Sequence, residues 1–161
     1  MQQEPNWITI AKGELGTREV RGGENPRIIE YHSATTLKAK EDEIAWCSSF
    51  VNWVLKKCGY KITGSAAARS WLQYGPVSKV FKKHAIVVFK RGSNPWQGHV
   101  AFAIADRGTH IKVLGGNQSD QVCYALYPKA NVLGYVTPIA ATEVKVAETH
   151  VASSEQGEVE A

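Results

Sequence analysis

The amino-acid sequence predicts an α+β fold, with N-terminal helices packed on an antiparallel β-sheet. Three observations carry that prediction. Residues 5–74 hold apolar residues at helical spacing, and residues 85–137 hold short runs of alternating or continuous apolar residues. The two halves do not alternate, which is the α+β pattern rather than the α/β one. The runs of the second half are joined by short turns, so neighbouring strands pair antiparallel.

The elements follow in order. Pro5 to about Thr17 reads as a helix, with Trp7, Ile10, Ala11, Glu14 and Leu15 in period and Gly16 as its stop. Arg21 to Pro26 is a turn-rich loop, and Arg27 to His32 a short helix. Ser33 to Glu43 is a polar loop leading to Trp46-Cys47-Ser48-Ser49-Phe50-Val51-Asn52-Trp53, where a cysteine opens a third helix. Phe50, Val51, Val54, Leu55 and Cys58 form its apolar stripe, and Gly59 ends it after Lys56 and Lys57. Ala66 to Tyr74 is a further short helix, stopped by Gly75-Pro76. Strands are predicted at Ala85–Phe89, His99–Asp106, Ile111–Leu114, Gln121–Tyr127 and Leu133–Thr137.

With 161 residues, 43% hydrophobic and 21% charged, the chain reads as one globular domain over 1–140. Residues 141–161 read as a flexible acidic C-terminal tail, with five glutamates against Lys145. The net charge is +4, but the body without that tail holds 18 basic against 10 acidic side chains, a net charge of +8. Such a body suits an anionic partner, or serves solubility alone. No basic–aromatic stripe or binding motif points to nucleic acid, and no apolar run reaches the ~18–20 residues of a membrane span. Met1 to Pro5 has neither a basic flank nor an apolar stretch, so synthesis in the cytoplasm without a signal peptide is expected. We expect a monomer.

Cys47, Cys58 and Cys123 are odd in number and form no Cys-x-x-Cys pair, which argues against a disulfide framework and a structural zinc site. Cys47 stands near a helix N-terminus, where the dipole and free N–H groups favour a thiolate. It is either a small buried hydrophobe or a nucleophile. A nucleophile needs a base. Of five histidines, His99 sits at the mouth of a strand after Gly98, held by a sheet yet open to a loop. Leu114-Gly115-Gly116-Asn117-Gln118 ends the neighbouring strand, which places Asn117 near His99. Asn117 is either a turn asparagine or a group whose amide oxygen orients the imidazole.

Ala45-Trp46-Cys47-Ser48-Ser49-Phe50-Val51-Asn52-Trp53, Gly98-His99-Val100-Ala101-Phe102 and Gly115-Gly116-Asn117-Gln118 together resemble the CHAP / NlpC/P60 superfamily of papain-like cell-wall peptidases. Its single-domain branch, found among phage endolysins, is similar also in Glu14-Leu15-Gly16, in Asn25-Pro26 with Ile29 and Tyr31, and in Ala68-Arg69-Ser70-Trp71-Leu72. The resemblance spans about residues 5–138. It implies a papain-like fold of helices on a sheet, with Cys47 as nucleophile, His99 as base and Asn117 as orienter. It implies hydrolysis of peptidoglycan amide bonds, with bacterial peptidoglycan as partner and action at the cell wall, the periplasm in a Gram-negative host. The expected reaction is that of an endopeptidase on the stem peptide. The alternatives are an N-acetylmuramoyl-L-alanine amidase with the same triad, or a non-catalytic wall-binding module.

Some relatives bind calcium through an aspartate-rich loop before the cysteine. Glu41-Asp42-Glu43 lacks the alternating spacing of such a loop, so neither metal nor cofactor is expected. Trp46 and Trp96 flank the presumed cleft in sequence and are candidates to bind substrate, or else to pack in the core, as Trp53 and Trp71 are expected to do.

Overall fold

Helix α1 spans Asn6–Lys12, α2 spans Pro26–His32 and α3 spans Cys47–Lys57. A 3-10 helix, Ala68–Gln73, leads into five strands: β1 Ile86–Lys90, β2 Gly98–Asp106, β3 His110–Gln118, β4 Gln121–Pro128 and β5 Val132–Val136. This computed structural model describes residues 4–20, 24–35, 46–93, 95 and 97–141. The acidic triplet Glu41-Asp42-Glu43, Trp96 and the tail beyond Ala141 lie outside the described residues. The predicted α+β class holds. The first helix is shorter than predicted, because Gly13 ends it three residues before Gly16.

The strands form one antiparallel sheet in the order β4-β3-β2-β1-β5. Its two faces alternate along each strand between bulges at Val88/Phe89, Ala103/Ala105 and Gly115/Gln118. Ile86, Val88, Val100, Phe102, Leu114 and Val136 pack with the helices. Val87, Phe89, Ala101, Ala103, Ile111, Val113 and Tyr135 form a second cluster on the other face. A two-residue turn, Ser119-Asp120, joins β3 to β4 with both residues at positive φ (53° and 62°). That geometry suits the right-handed twist of a hairpin.

Helix α3 is the centre of the first layer, and every residue from Cys47 to Leu55 is buried. Its apolar side meets β2 and β3 through Phe50, whose ring lies 6.5 Å edge-on from that of Phe102. Its polar side is buried too, so each polar group there needs a partner. Asn52 supplies several: its amide donates to the Ser48 and Ser65 carbonyls at 3.0 and 3.1 Å, and its oxygen accepts from the Thr63 and Gly64 amides at 2.9 and 3.0 Å. Ser48 donates to the Ser65 carbonyl and accepts from Trp71 Nε1 at 2.9 Å. The 63–65 loop and the 3-10 helix are thereby fixed against the start of α3. Trp71 is fully buried and Trp53 6% exposed, both in the core as expected.

Candidate active site

The site lies where β2 and β3 part. Their pairing runs from Asp106–Ile111 to Phe102–Leu114 and goes no further. Beyond that pair β3 turns toward α3, and two glycines make the approach possible. A Cβ on Gly116 would lie 2.6 Å from the Trp46 ring and 2.9 Å from Phe50 Cβ. A Cβ on Gly115 would lie 2.7 Å from Ala101 Cβ and 2.8 Å from Gln118 Oε1. Such distances exclude any larger residue without movement of packed side chains.

Cys47 is the first residue of α3, 5% exposed, and it meets the N-terminal end of β2. Burial pushes its thiol up. The positive charge of a protonated His99 and a hydrogen bond with that ring oppose it, joined by the Val100 backbone N–H and the charge of Arg91. These outweigh burial and hold the thiol below its ordinary range, toward the thiolate.

His99, also 5% exposed, donates from Nε2 to Gln118 Oε1 at 2.8 Å. The amide orientation of Gln118 is set by its other end, where Nε2 donates to the Cys123 carbonyl at 2.6 Å. The oxygen must therefore face the imidazole, which fixes the proton on His99 Nε2 and leaves Nδ1 to face the thiol. The ring is further held by Tyr127, whose centroid lies 4.7 Å away at 30°, with Phe89 at 6.4 Å on the same cluster. The Tyr127 hydroxyl is pushed up to about 12, by burial first and by the Cys47 charge second.

The structure thus brings Cys47 and His99 together, and it gives Gln118 the contact expected of Asn117. The reason is a β-bulge. Between the pairs Gly115–Cys123 and Gln118–Gln121, β3 advances three residues while β4 advances two. Regular alternation would put residue 117 on the face of Ile111, Val113 and Gly115, the face of His99. One extra residue moves the next side chain there instead. Asn117 absorbs the irregularity at φ 59°, a left-handed conformation that asparagine tolerates. Its side chain makes no hydrogen bond among the described residues.

Trp46 is also corrected. It is fully buried, donates from Nε1 to Glu19 Oε1 at 2.7 Å and packs 5.7 Å from the Tyr31 ring, so it is a core residue rather than a cleft wall. Gln118, Tyr127 and Arg91 were missed by sequence reasoning. Gln118 lay within the quoted Gly-Gly-Asn-Gln run, but nothing local signals a bulge of one residue. Tyr127 comes from β4, two strands away from His99. The described residues hold no group of three metal-ligating side chains, and no helix among them is long and apolar enough to cross a membrane.

Residues 39–117 match the family model of the CHAP domain. No curated protein matches the chain. Among solved structures, the chain is similar to Ly7917, with 15% identity, a TM-score of 0.47 and coverage of 83% of this chain and 61% of that one. It is similar also to Ly7917 with the hydrolyzing product of MDP, with 17% identity, a TM-score of 0.47 and coverage of 83% and 62%. The chain therefore spans about three fifths of the length of Ly7917. By this match, residues 39–117 carry the similarity to the CHAP domain.

Proposed function

We propose that this chain is a peptidoglycan hydrolase that cuts amide bonds by a thiol mechanism, as an endopeptidase of the stem peptide. The observation that carries the reading is the juxtaposition of a thiol held toward its thiolate with a histidine whose tautomer is fixed by Gln118. The match of residues 39–117 to the CHAP domain supports the choice of substrate. Its action would be at the bacterial cell wall, the periplasm in a Gram-negative host.

In this mechanism His99 Nδ1 takes the Cys47 proton, and Sγ attacks the carbonyl carbon of the scissile amide. The oxyanion forms beside the Cys47 backbone N–H, one of the groups at the start of α3 that lack an intrahelical partner. The C–N bond then breaks, and the imidazolium returns its proton to the leaving amine. Water attacks the thioester, His99 takes the water proton, and Sγ is released. General-base catalysis contributes about 10²–10⁴-fold and one oxyanion donor about 10²–10³-fold. Gln118 holds the ring in the tautomer that both proton transfers need.

The test is mass spectrometry of purified peptidoglycan digested with wild type and with Cys47→Ala. New termini only with wild type are expected, with fragment masses that place the cut within the stem peptide. A cut between the sugar's lactyl group and L-alanine would instead make the enzyme an amidase. New termini produced equally by Cys47→Ala would sink the mechanism.

A further inference from the structure

A pocket of about 190 Å³ opens beside His99, and its chemistry is one-sided. Lys90, Arg91, Tyr127 and Asn131 line it together with His99, and no acidic side chain among the described residues does. Strand register puts the basic pair there: Phe89 lies opposite His99 and Lys90 opposite Gly98, so Arg91 follows at the mouth of the site. Both cations are exposed, and neither is paired with a carboxylate among the described residues. Elsewhere several exposed bases are paired, as Lys129 is with Asp106 at 2.7 Å and Arg27 with Glu30 at 3.0 Å.

The pocket's side of the site follows from the chemistry. The imidazole must protonate the leaving amine, so the substrate half that carries the amine lies on the His99 side. We propose that this pocket holds a free carboxylate on the residue that contributes the leaving amine, through Arg91 and Lys90. The inference rests on the hydrolytic reading above and specifies its substrate: an amide whose amine-side residue is an anion, not a carboxamide. A guanidinium matches a carboxylate with two parallel N–H groups, and the lysine adds a second positive charge.

The test uses two alkylating reagents that differ in charge alone. Iodoacetate and iodoacetamide react alike, with Sγ forming the S–C bond and iodide leaving. Their rate ratio at Cys47, divided by the same ratio for a small free thiol, reports the local field on a carboxylate. Peptide mapping separates adducts on Cys47 from those on Cys58 and Cys123. We expect a normalised preference for iodoacetate of roughly tenfold, since two exposed charges each contribute a few-fold. Arg91→Gln should remove most of it and Lys90→Gln part of it. Arg91 also favours the thiolate, so both absolute rates fall in Arg91→Gln, but only an anion-holding pocket changes the ratio. A ratio unchanged in the Arg91→Gln/Lys90→Gln double variant would overturn the proposal.

A second arm uses soluble stem-peptide amides whose leaving residue is a free acid or a carboxamide. A kcat/KM that favours the acid in wild type and loses that preference in Arg91→Gln supports the pocket, and equal kcat/KM for the pair overturns it. If neither peptide is cut while the alkylation ratio behaves as expected, the hydrolytic reading fails and the anion pocket stands.

Discussion

Strands β2 and β3 lie side by side but behave differently at their two ends. At one end, Phe102–Leu114 to Asp106–Ile111, they pair and bury apolar side chains on both faces. At the other, they separate around two glycines, a bulge and a left-handed asparagine. The paired end keeps its ladder and its apolar burial across a bulge between Ala103 and Ala105. The parted end loses the ladder, and Cys47, His99 and Gln118 meet there. Local departures of this kind persist when the surrounding structure over-determines them. Here the surroundings are the fully buried α3 and the hydrogen bonds that hold Asn52 and Ser48.

If that contrast is right, substitutions at the two ends separate activity from stability. The largest expected effect is at the parted end. His99→Ala should lower kcat by about 10²–10⁴-fold, with thermal stability little changed. It should also reverse the sign of the shift at Cys47. The thiol is now held below its ordinary value, so alkylation rises with pH through a midpoint below that of a free thiol. Without His99 the main opposing cause is gone, burial prevails, and the midpoint should move to higher pH. The pH dependence of iodoacetamide inactivation measures this directly, and a midpoint unmoved by His99→Ala would remove the ion pair from the site.

Phe102→Ala breaks the paired end instead. Phe102 is fully buried against Phe50, and truncation of a core phenylalanine costs about 3–5 kcal/mol. Chemical denaturation should show that loss. The kcat of the molecules that remain folded, measured well below the unfolding transition, should stay within a few-fold of wild type. A kcat loss as large as that of His99→Ala would mean that the two ends are not separable.

The same contrast explains what could be read from the sequence. The paired end was legible, because pattern and turn residues act locally: strands β1 to β5 fall within a few residues of their predicted spans. Cys47 and His99 were legible too, since each stands at the first positions of a regular element. Gln118 was not, because regular alternation places Asn117 at that face and only the β4 register reveals the extra residue. Trp46 misled for a related reason. Neighbours in sequence at a helix start point in different directions, so adjacency to Cys47 said nothing about a shared cleft. Its ring instead fills the space that Gly116 leaves.

Gln118→Ala should cost roughly 10–100-fold in kcat, the equivalent of a buried hydrogen bond to a group that becomes charged. Gly115→Ala should mimic it without replacing either partner, since the added Cβ would fall 2.8 Å from Gln118 Oε1, as well as 2.7 Å from Ala101 Cβ. The two changes act on one contact, so the double variant should lose little more than either single one. Full additivity in kcat would show that Gly115 acts elsewhere.

The smallest expected effect decides between the two neighbours Asn117 and Gln118. Asn117 sits at φ 59° with no side-chain hydrogen bond among the described residues, so its role is to carry the backbone through the bulge. Glycine takes that conformation without penalty, whereas alanine is strained there by about 1–2 kcal/mol. Asn117→Gly should therefore keep kcat within a few-fold of wild type and stability within about 0.5 kcal/mol. Asn117→Ala should lose stability, and activity only in so far as Gln118 is displaced with the bulge. The order of the two variants is the reading that matters. An amide that oriented His99 would be lost equally in both, and both would then show the loss assigned to Gln118→Ala. A backbone role leaves the glycine variant active and the alanine variant impaired.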